Sequence, residues 1–106
     1  MSALIAFSTV ANDAAARRLA RALVDERLAA CVSRVPGVTS TYRWQGEVRE
    51  EAEVLLVIKT TRERLDALQL RLAELHDYQA PELLAIEACA GLPSYLAWVA
   101  DETRPA

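Results

Sequence analysis

The chain has little glycine, cysteine and histidine, and each shortage excludes a class of site. Its three glycines cannot be written into GxGxxG or GxxxxGKS/T, which excludes dinucleotide and P-loop phosphate sites of those kinds. Its two cysteines are too few for a disulfide scaffold. Its one histidine excludes any mechanism or metal site that needs two histidines from a single chain. No apolar run approaches the ~18 residues that a transmembrane helix needs.

The length and composition of the chain predict one small folded domain spanning residues 1–106. Hydrophobic residues make up 53% of the chain and charged residues 25%, so a core can form and global disorder is excluded. The net charge of −3 argues against a nucleic-acid partner, since such proteins usually present a basic surface. No basic residue precedes Arg17, which argues against a secretory signal. We therefore expect a cytoplasmic protein with neither a nucleic-acid nor a membrane partner.

Apolar periodicity predicts the order β-α-β-β-α-β followed by a short helix. This is the α+β, ferredoxin-like arrangement, with two helices on one face of a four-stranded sheet in the order 4-1-3-2. The predicted strands cover residues 3–10, 31–44, 47–60 and 81–89, and the predicted helices run from Asn12 to about Ala30, from the 60–63 segment to near His76, and from Ser94 onward.

Local signals mark the ends and turns of these elements. Asn12 is a predicted N-cap, and Thr60 to Glu63 match the capping box S/T-x-x-E. The pair at 45–46, Gln-Gly, predicts a tight hairpin turn. The pair at 36–37, Pro-Gly, predicts a bulge or bend and places its strand at a sheet edge.

The hairpin of strands 2 and 3 is too long for a compact body. Each strand of about 14 residues reaches roughly 45 Å when extended, whereas a domain of this size has a diameter of only ~33 Å. If the hairpin projects, Tyr42, Trp44 and Val48 near its tip are poorly buried on one chain, which favours a homo-oligomer formed by hairpin arms. The alternative is that the Pro-Gly pair folds the hairpin back onto its own domain.

Cys31 and His76 are the two residues with metal-ligand chemistry, and each has an ordinary structural interpretation. Cys31 is either a soft ligand for copper or zinc or a small buried apolar residue. His76 is either an imidazole ligand or a cation that favours the end of a helix. Cys89 lies at the end of the fourth strand, at the opposite sheet edge from Cys31, so we predict no disulfide between them.

Several charged and aromatic residues border the apolar strands. A charge there either ends a strand at the surface or points into a cleft, and this applies to Glu53, Lys59 and Glu82. Aromatic residues with polar groups either pack in interfaces or form the walls of a ligand cleft, and this applies to Trp44, Tyr78 and Trp98.

Five strings together resemble the CutA family, known as divalent-cation tolerance proteins. They are AACV (29–32), PGVTSTYRWQG (36–46), EVLLVIKT (53–60), HDYQAPELLAI (76–86) and YLAWV (95–99). The resemblance covers nearly the whole chain. It implies a ferredoxin-like protomer, a homotrimer built through the long hairpin, and a non-enzymatic function in tolerance to divalent cations with copper binding.

The resemblance also implies two sets of site residues. Copper or another divalent cation would be held by Cys31 and His76, without an organic cofactor, while the second family cysteine falls on Ser8, whose hydroxyl is a poor soft-metal ligand. A ligand cleft between subunits would be lined by Tyr42, Trp44, Glu53, Lys59, Tyr78 and Glu82.

Two other functions fit the same fold. One is a signalling module similar to the PII regulators, which would bind a small metabolite or nucleotide at the trimer interface. The other is an acylphosphatase-like hydrolase, which needs a basic anion-binding loop after the first strand. The segment 9–12, Thr-Val-Ala-Asn, carries no arginine, and this disfavours the hydrolase.

Overall fold

The computed structural model describes residues 3–106, which form four strands and three helices in the predicted order. Their bounds are β1 Ala3–Val10, α1 Asp13–Asp25, β2 Cys31–Trp44, β3 Glu47–Thr61, α2 Arg62–Leu75, β4 Leu84–Glu87 and α3 Pro93–Glu102. The sheet has the order β2-β3-β1-β4, and every neighbouring pair is antiparallel. The α+β ferredoxin-like prediction and its strand order are confirmed.

Alternate residues of β1 and β3 face opposite sides of the sheet. The even-numbered residues lie under α1 and α2, where Leu56 and Ile58 are completely buried against Leu23 and Leu68. We call this side the helix face. The odd-numbered residues of the same strands are half-buried along most of their length and lie on the opposite side, which we call the open face. The period of two along a strand produces this division.

Helix α1 begins as predicted but ends earlier. The Asn12 side chain accepts a hydrogen bond from the backbone N–H of Ala15 at 2.8 Å, which confirms the N-cap. The helix ends at Asp25 rather than near Ala30 because Arg27 adopts a left-handed conformation with φ of 61°. The N–H of Leu28 then bonds to the carbonyl of Leu23 at 2.9 Å, which closes a Schellman motif.

The predicted capping box before α2 is wrong. Thr60 is completely buried on the helix face, where its hydroxyl donates to the carbonyl of Leu28 at 2.7 Å. Thr61 therefore occupies the N-cap position, and its side chain makes no capping hydrogen bond. The carbonyl of Leu28, three residues beyond the end of α1, thus accepts the hydroxyl that the capping box would have used.

The last two elements also differ from prediction in their ends. β4 covers four residues rather than nine. Helix α3 has Pro93 at its start and Leu92 at its N-cap, so Ser94 is not the cap. Proline suits a first helical turn because its missing N–H needs no partner there. No helix within residues 3–106 is long and apolar enough to cross a membrane.

The β2–β3 hairpin projects from the body as an arm. β2 has 14 residues and β3 has 15, and the molecule measures 44 × 26 × 22 Å. Gln45 and Gly46 both have positive φ, at 52° and 83°, as the predicted tight turn requires. The hairpin is therefore extended and does not fold back onto its domain.

The predicted bulge at Pro36-Gly37 decides which side of the arm each side chain occupies. Val35 pairs with Leu55, but Val38 pairs with Glu53, so β2 gains one residue over β3, and Gly37 has φ of 80°. An extra residue moves every later side chain of that strand to the other side of the sheet. The even-numbered residues of β2 beyond the bulge consequently lie on the open face.

Candidate ligand cleft

A cleft of about 700 Å³ lies between the arm and the segment that joins α2 to β4. This volume falls within the range of small-molecule sites. Its lining includes five of the six residues that the family resemblance assigned to a ligand cleft: Tyr42, Trp44, Glu53, Tyr78 and Glu82. The bulge places the arm residues of β2 on the open face, together with those of β3. The 76–82 segment forms the facing wall of the cleft.

Two tyrosine–carboxylate pairs organise the cleft. The Tyr78 hydroxyl donates to Oε2 of Glu53 at 2.6 Å, and the Tyr42 hydroxyl donates to Oε1 of Glu51. Burial, followed by the hydrogen bond to Glu53, raises the pKa of Tyr78 well above its usual value. The hydrogen bond to Glu51 raises the pKa of Tyr42. Both phenols therefore keep their protons at neutral pH and direct them toward the carboxylates.

The carboxylates of the cleft share it with one basic side chain among the described lining residues, Arg49. Glu53 is only 8% exposed. Within residues 3–106, no lysine or arginine lies in ion-pair range of Glu51, Glu53 or Glu82, whereas the nearby Arg49 pairs with Glu47 at 3.3 Å. Burying a carboxylate without a counter-ion costs free energy. The binding of a cation near Glu53 would reduce this cost.

His76 holds Tyr78 in place. Its Nε2 lies 2.8 Å from the carbonyl of Thr9, and its Nδ1 accepts the backbone N–H of Tyr78 at 3.1 Å. A carbonyl only accepts and an N–H only donates, so the ring is neutral with its proton on Nε2. The two rings also contact, with centroids 4.7 Å apart. Both ring nitrogens are thus occupied, and a metal ion would have to displace one of these bonds.

Cys31 and Lys59 lie together at the other end of the open face, away from the cleft. Lys59 Nζ is 3.9 Å from Sγ of Cys31 and 3.2 Å from the hydroxyl of Ser33. Lys59 pairs with Cys31 across the strands, six positions along β3 from Glu53. Lys59 therefore does not line the cleft of its own protomer, unlike the other five residues of the predicted set.

The three positions that the resemblance connects with copper do not meet in one protomer. Cys31 pairs with Lys59 and Thr9 pairs with Leu55, so Cys31 and the contact point of His76 are about 13 Å apart along β3. Ser8 is completely buried on the helix face, and its hydroxyl has no hydrogen-bond partner among residues 3–106. In that part of the chain no group of three His, Cys, Asp or Glu side chains is placed to hold a metal ion. These residues of a single protomer do not fit a copper site.

Sequence reasoning missed Arg49, Glu51 and Asp77, which also line the cleft. The alternation of Arg49, Glu51 and Glu53 along β3 was a usable signal, because residues two apart share one side of a strand. Asp77 pairs with Arg18 of α1 at 3.0 Å, a contact between distant parts of the chain that no local pattern indicates.

The comparisons with known proteins agree on one family. Residues 4–102 match the family model described as CutA1 divalent ion tolerance protein. The divalent-cation tolerance protein CutA of Thermus thermophilus is 50% identical over 95 residues, which are 90% of this chain and 92% of that protein. The chloroplastic protein CutA 1 of rice is 43% identical over 95% of this chain, which spans only 57% of the rice protein.

Solved structures are similar over the same extent. The crystal structure of CutA from Xylella fastidiosa superposes with a TM-score of 0.95 at 42% identity, and the match covers 98% of this chain and all of that one.

Proposed function

The chain belongs to the CutA1 family of divalent ion tolerance proteins, and on that premise we propose that it acts by binding a cation, without catalysis, as a homotrimer. The binding place in this proposal is the cleft between the arm and the 76–82 segment. A divalent metal or a small ligand would enter it where subunits meet. The family name supports the connection with divalent cations. The geometry of the cleft supports its choice as the binding place.

The observation that supports cation binding is the unbalanced charge at Glu53. This carboxylate is nine-tenths buried, has one tyrosine hydroxyl as its hydrogen-bond donor, and lacks a basic partner within residues 3–106. Such a group is stabilised by a cation and destabilised by an anion. The same charge disfavours the alternative of a PII-like module that binds a nucleotide, because phosphates would face carboxylates.

Self-association is supported by the open face of the sheet. Leu84 and Ile86 of β4 are 68% and 55% exposed, and they pair with Phe7 and Ile5 of β1 on this face. The outer edges of β2 and β4 are also free among the described residues. Contiguous apolar surface and free strand edges are usually covered by partners. The trimeric number comes from the family resemblance.

Copper binding by Cys31 and His76 stays a prediction that requires ligands from two subunits. The separation of about 13 Å along β3 prevents one protomer from offering both to a single ion. The cytoplasmic location also stays a prediction.

A calorimetric titration of the reduced, metal-free protein with Cu²⁺ tests the metal part of this function. We expect saturable binding near one ion per chain. If Cys31→Ser and His76→Ala each abolish it, the intersubunit site is supported; if Glu53→Gln abolishes it, the cleft holds the metal. An absence of saturable binding of Cu²⁺, Zn²⁺ and Mg²⁺ would contradict metal binding.

A further inference from the structure

We propose that the cleft takes a small organic ammonium ion, held by its N–H donors on Glu53 and by its charge against the aromatic walls. This inference rests on the proposed function, since it names the class of cation for the same cleft. It follows from the hydrogen-bonding capacity, the walls and the size of the cleft.

The cleft contains an unused hydrogen-bond acceptor on Glu53. Oε2 of Glu53 accepts the Tyr78 hydroxyl, whereas Oε1 receives no hydrogen bond from residues 3–106, although the side chain is only 8% exposed. A carboxylate has about four acceptor sites, so most of its capacity is unfilled. A ligand with several N–H donors would complete it.

The tyrosines and carboxylates around Glu53 present hydrogen-bond acceptors to a ligand. Tyr42 and Tyr78 direct their protons to Glu51 and Glu53, which leaves the phenol oxygens with lone pairs only. Glu82 adds another carboxylate to the lining. An ammonium group has three donors and no acceptor, and it therefore matches this lining. A carboxylate or phosphate group would be repelled at Glu53, and its donors in the cleft would be those of Arg49 and the uncharged polar side chains of the lining.

Aromatic rings form part of the walls of the cleft. Trp44, Tyr42 and Tyr78 all line the cleft. The faces of such rings attract ammonium groups that approach within about 6 Å of the ring centre. Aromatic walls also bury the methylene groups of an organic ligand, which a bare metal ion does not have.

The cleft is also larger than a metal ion requires. The volume of about 700 Å³ suits an organic molecule rather than a bare metal ion, whose ligands must converge to about 2.0–2.6 Å. No three acidic, cysteine or histidine side chains converge in this way within residues 3–106. The spacing of the carboxylates is thus better suited to a ligand several bonds long.

Isothermal titration of the full-length protein in metal-free buffer with putrescine, a linear diamine, tests the proposal. Succinate, a dicarboxylate of similar length, is the matched control ligand. We expect saturable binding of putrescine and none of succinate. Glu53→Gln should weaken binding about tenfold or more, because it removes the charge but keeps an acceptor for Tyr78. Trp44→Leu should weaken it roughly threefold.

Glu50→Gln is the matched control variant. Glu50 is exposed on the same strand, and its side chain lies on the other side of the arm, where it pairs with Thr41. The affinity of the Glu50→Gln variant for putrescine should therefore equal that of the wild type. Circular dichroism establishes that each variant is folded. If Glu53→Gln does not fold, Glu82→Gln serves in its place, with a smaller expected loss.

The outcomes separate this inference from the proposed function. Binding of succinate, or equal binding of putrescine by wild type and Glu53→Gln, overturns the inference. Binding of a metal ion without putrescine overturns it too and leaves the proposed function standing. If neither putrescine nor a metal ion binds, the inference and the proposed cation binding are both overturned. A basic side chain from a second copy that already neutralises Glu53 would give this result. Binding of putrescine alone supports the inference and removes the metal from the proposed function.

Discussion

The two faces of the sheet are built from alternate residues of the same strands, yet they differ in how far the rest of the chain buries them. On the helix face, Leu56 and Ile58 are completely buried by α1 and α2 of their own chain. On the open face, their neighbours Leu55 and Val57 stay half-buried, and Ile86 is 55% exposed. One chain closes the first face and leaves the second incomplete.

This difference separates folding from function along one strand. β3 carries core residues at its even positions from Val54 onward and, at its odd positions, first the cleft carboxylates Glu51 and Glu53 and then the open-face apolar residues. A substitution on the helix face should therefore act on the stability of each protomer. A substitution on the open face should act on assembly or ligand binding.

The largest effect is expected for Leu56→Ala on the helix face. This residue has no exposed surface, so its truncation leaves a cavity and should lower the free energy of unfolding by about 2–5 kcal/mol. Urea denaturation at fixed protein concentration measures the change. Leu70→Ala is the control, since Leu70 is 67% exposed on α2 and should change stability by less than about 0.5 kcal/mol. Equal effects at both positions would remove the distinction between core and surface.

The next effect is expected for Val57→Lys on the open face. A lysine there would place one charge per copy in an apolar interface, which should raise the dissociation constant of the oligomer about tenfold or more while the protomer stays folded. Sedimentation velocity and circular dichroism measure the two properties. Leu70→Lys should leave the oligomer intact. An unchanged oligomer in Val57→Lys would show that this face is not an interface.

A smaller effect concerns Tyr78 and alkaline pH. Its raised pKa means that the protonated phenol is favoured in the folded state, so its stabilising contribution is complete below pH 10 and declines as the pH rises above that value. Tyr78→Phe should lower stability by about 1–2 kcal/mol at neutral pH. The difference from wild type should shrink above pH 10. A difference that is constant through that range would contradict the burial of the phenol together with its hydrogen bond to Glu53.

The smallest effect is expected for Ser8→Ala, a polar residue on the helix face. Its hydroxyl is completely buried without a partner among residues 3–106, so removal should raise the free energy of unfolding by about 1 kcal/mol. Thermal unfolding measures the gain. Thr60→Val is the contrasting change, since the Thr60 hydroxyl donates to the carbonyl of Leu28 and its loss should be destabilising. A loss of stability in Ser8→Ala would imply that its hydroxyl is satisfied.

Much of the fold was predictable because its signals are local. Period-two and helical patterns gave the element order, the Asn12 side chain capped α1, and Gln45-Gly46 formed the turn. The bulge was also predictable from the pair at 36–37, Pro-Gly. It explains why Tyr42 and Trp44 lie on the same side of the arm as Glu53. Five of the six residues assigned through the family resemblance consequently line one cleft.

The failures arise from contacts between distant segments. Thr60 matched a capping box, but the carbonyl of Leu28 took its hydroxyl. Lys59 lies six positions from Glu53 along β3 and beside Cys31, so its assignment to a cleft between subunits stays a prediction. The two ring bonds of His76 also depend on Thr9 and on the backbone of Tyr78, which sequence spacing alone does not bring together.

The native mass of the 106-residue chain tests most directly whether the open face is completed by other copies of the chain. Sedimentation equilibrium across the micromolar range should give three times the 11.7 kDa mass of one chain, without dissociation at the lowest concentrations. A single species of 11.7 kDa throughout that range would contradict it, since the apolar open face would then remain in contact with water.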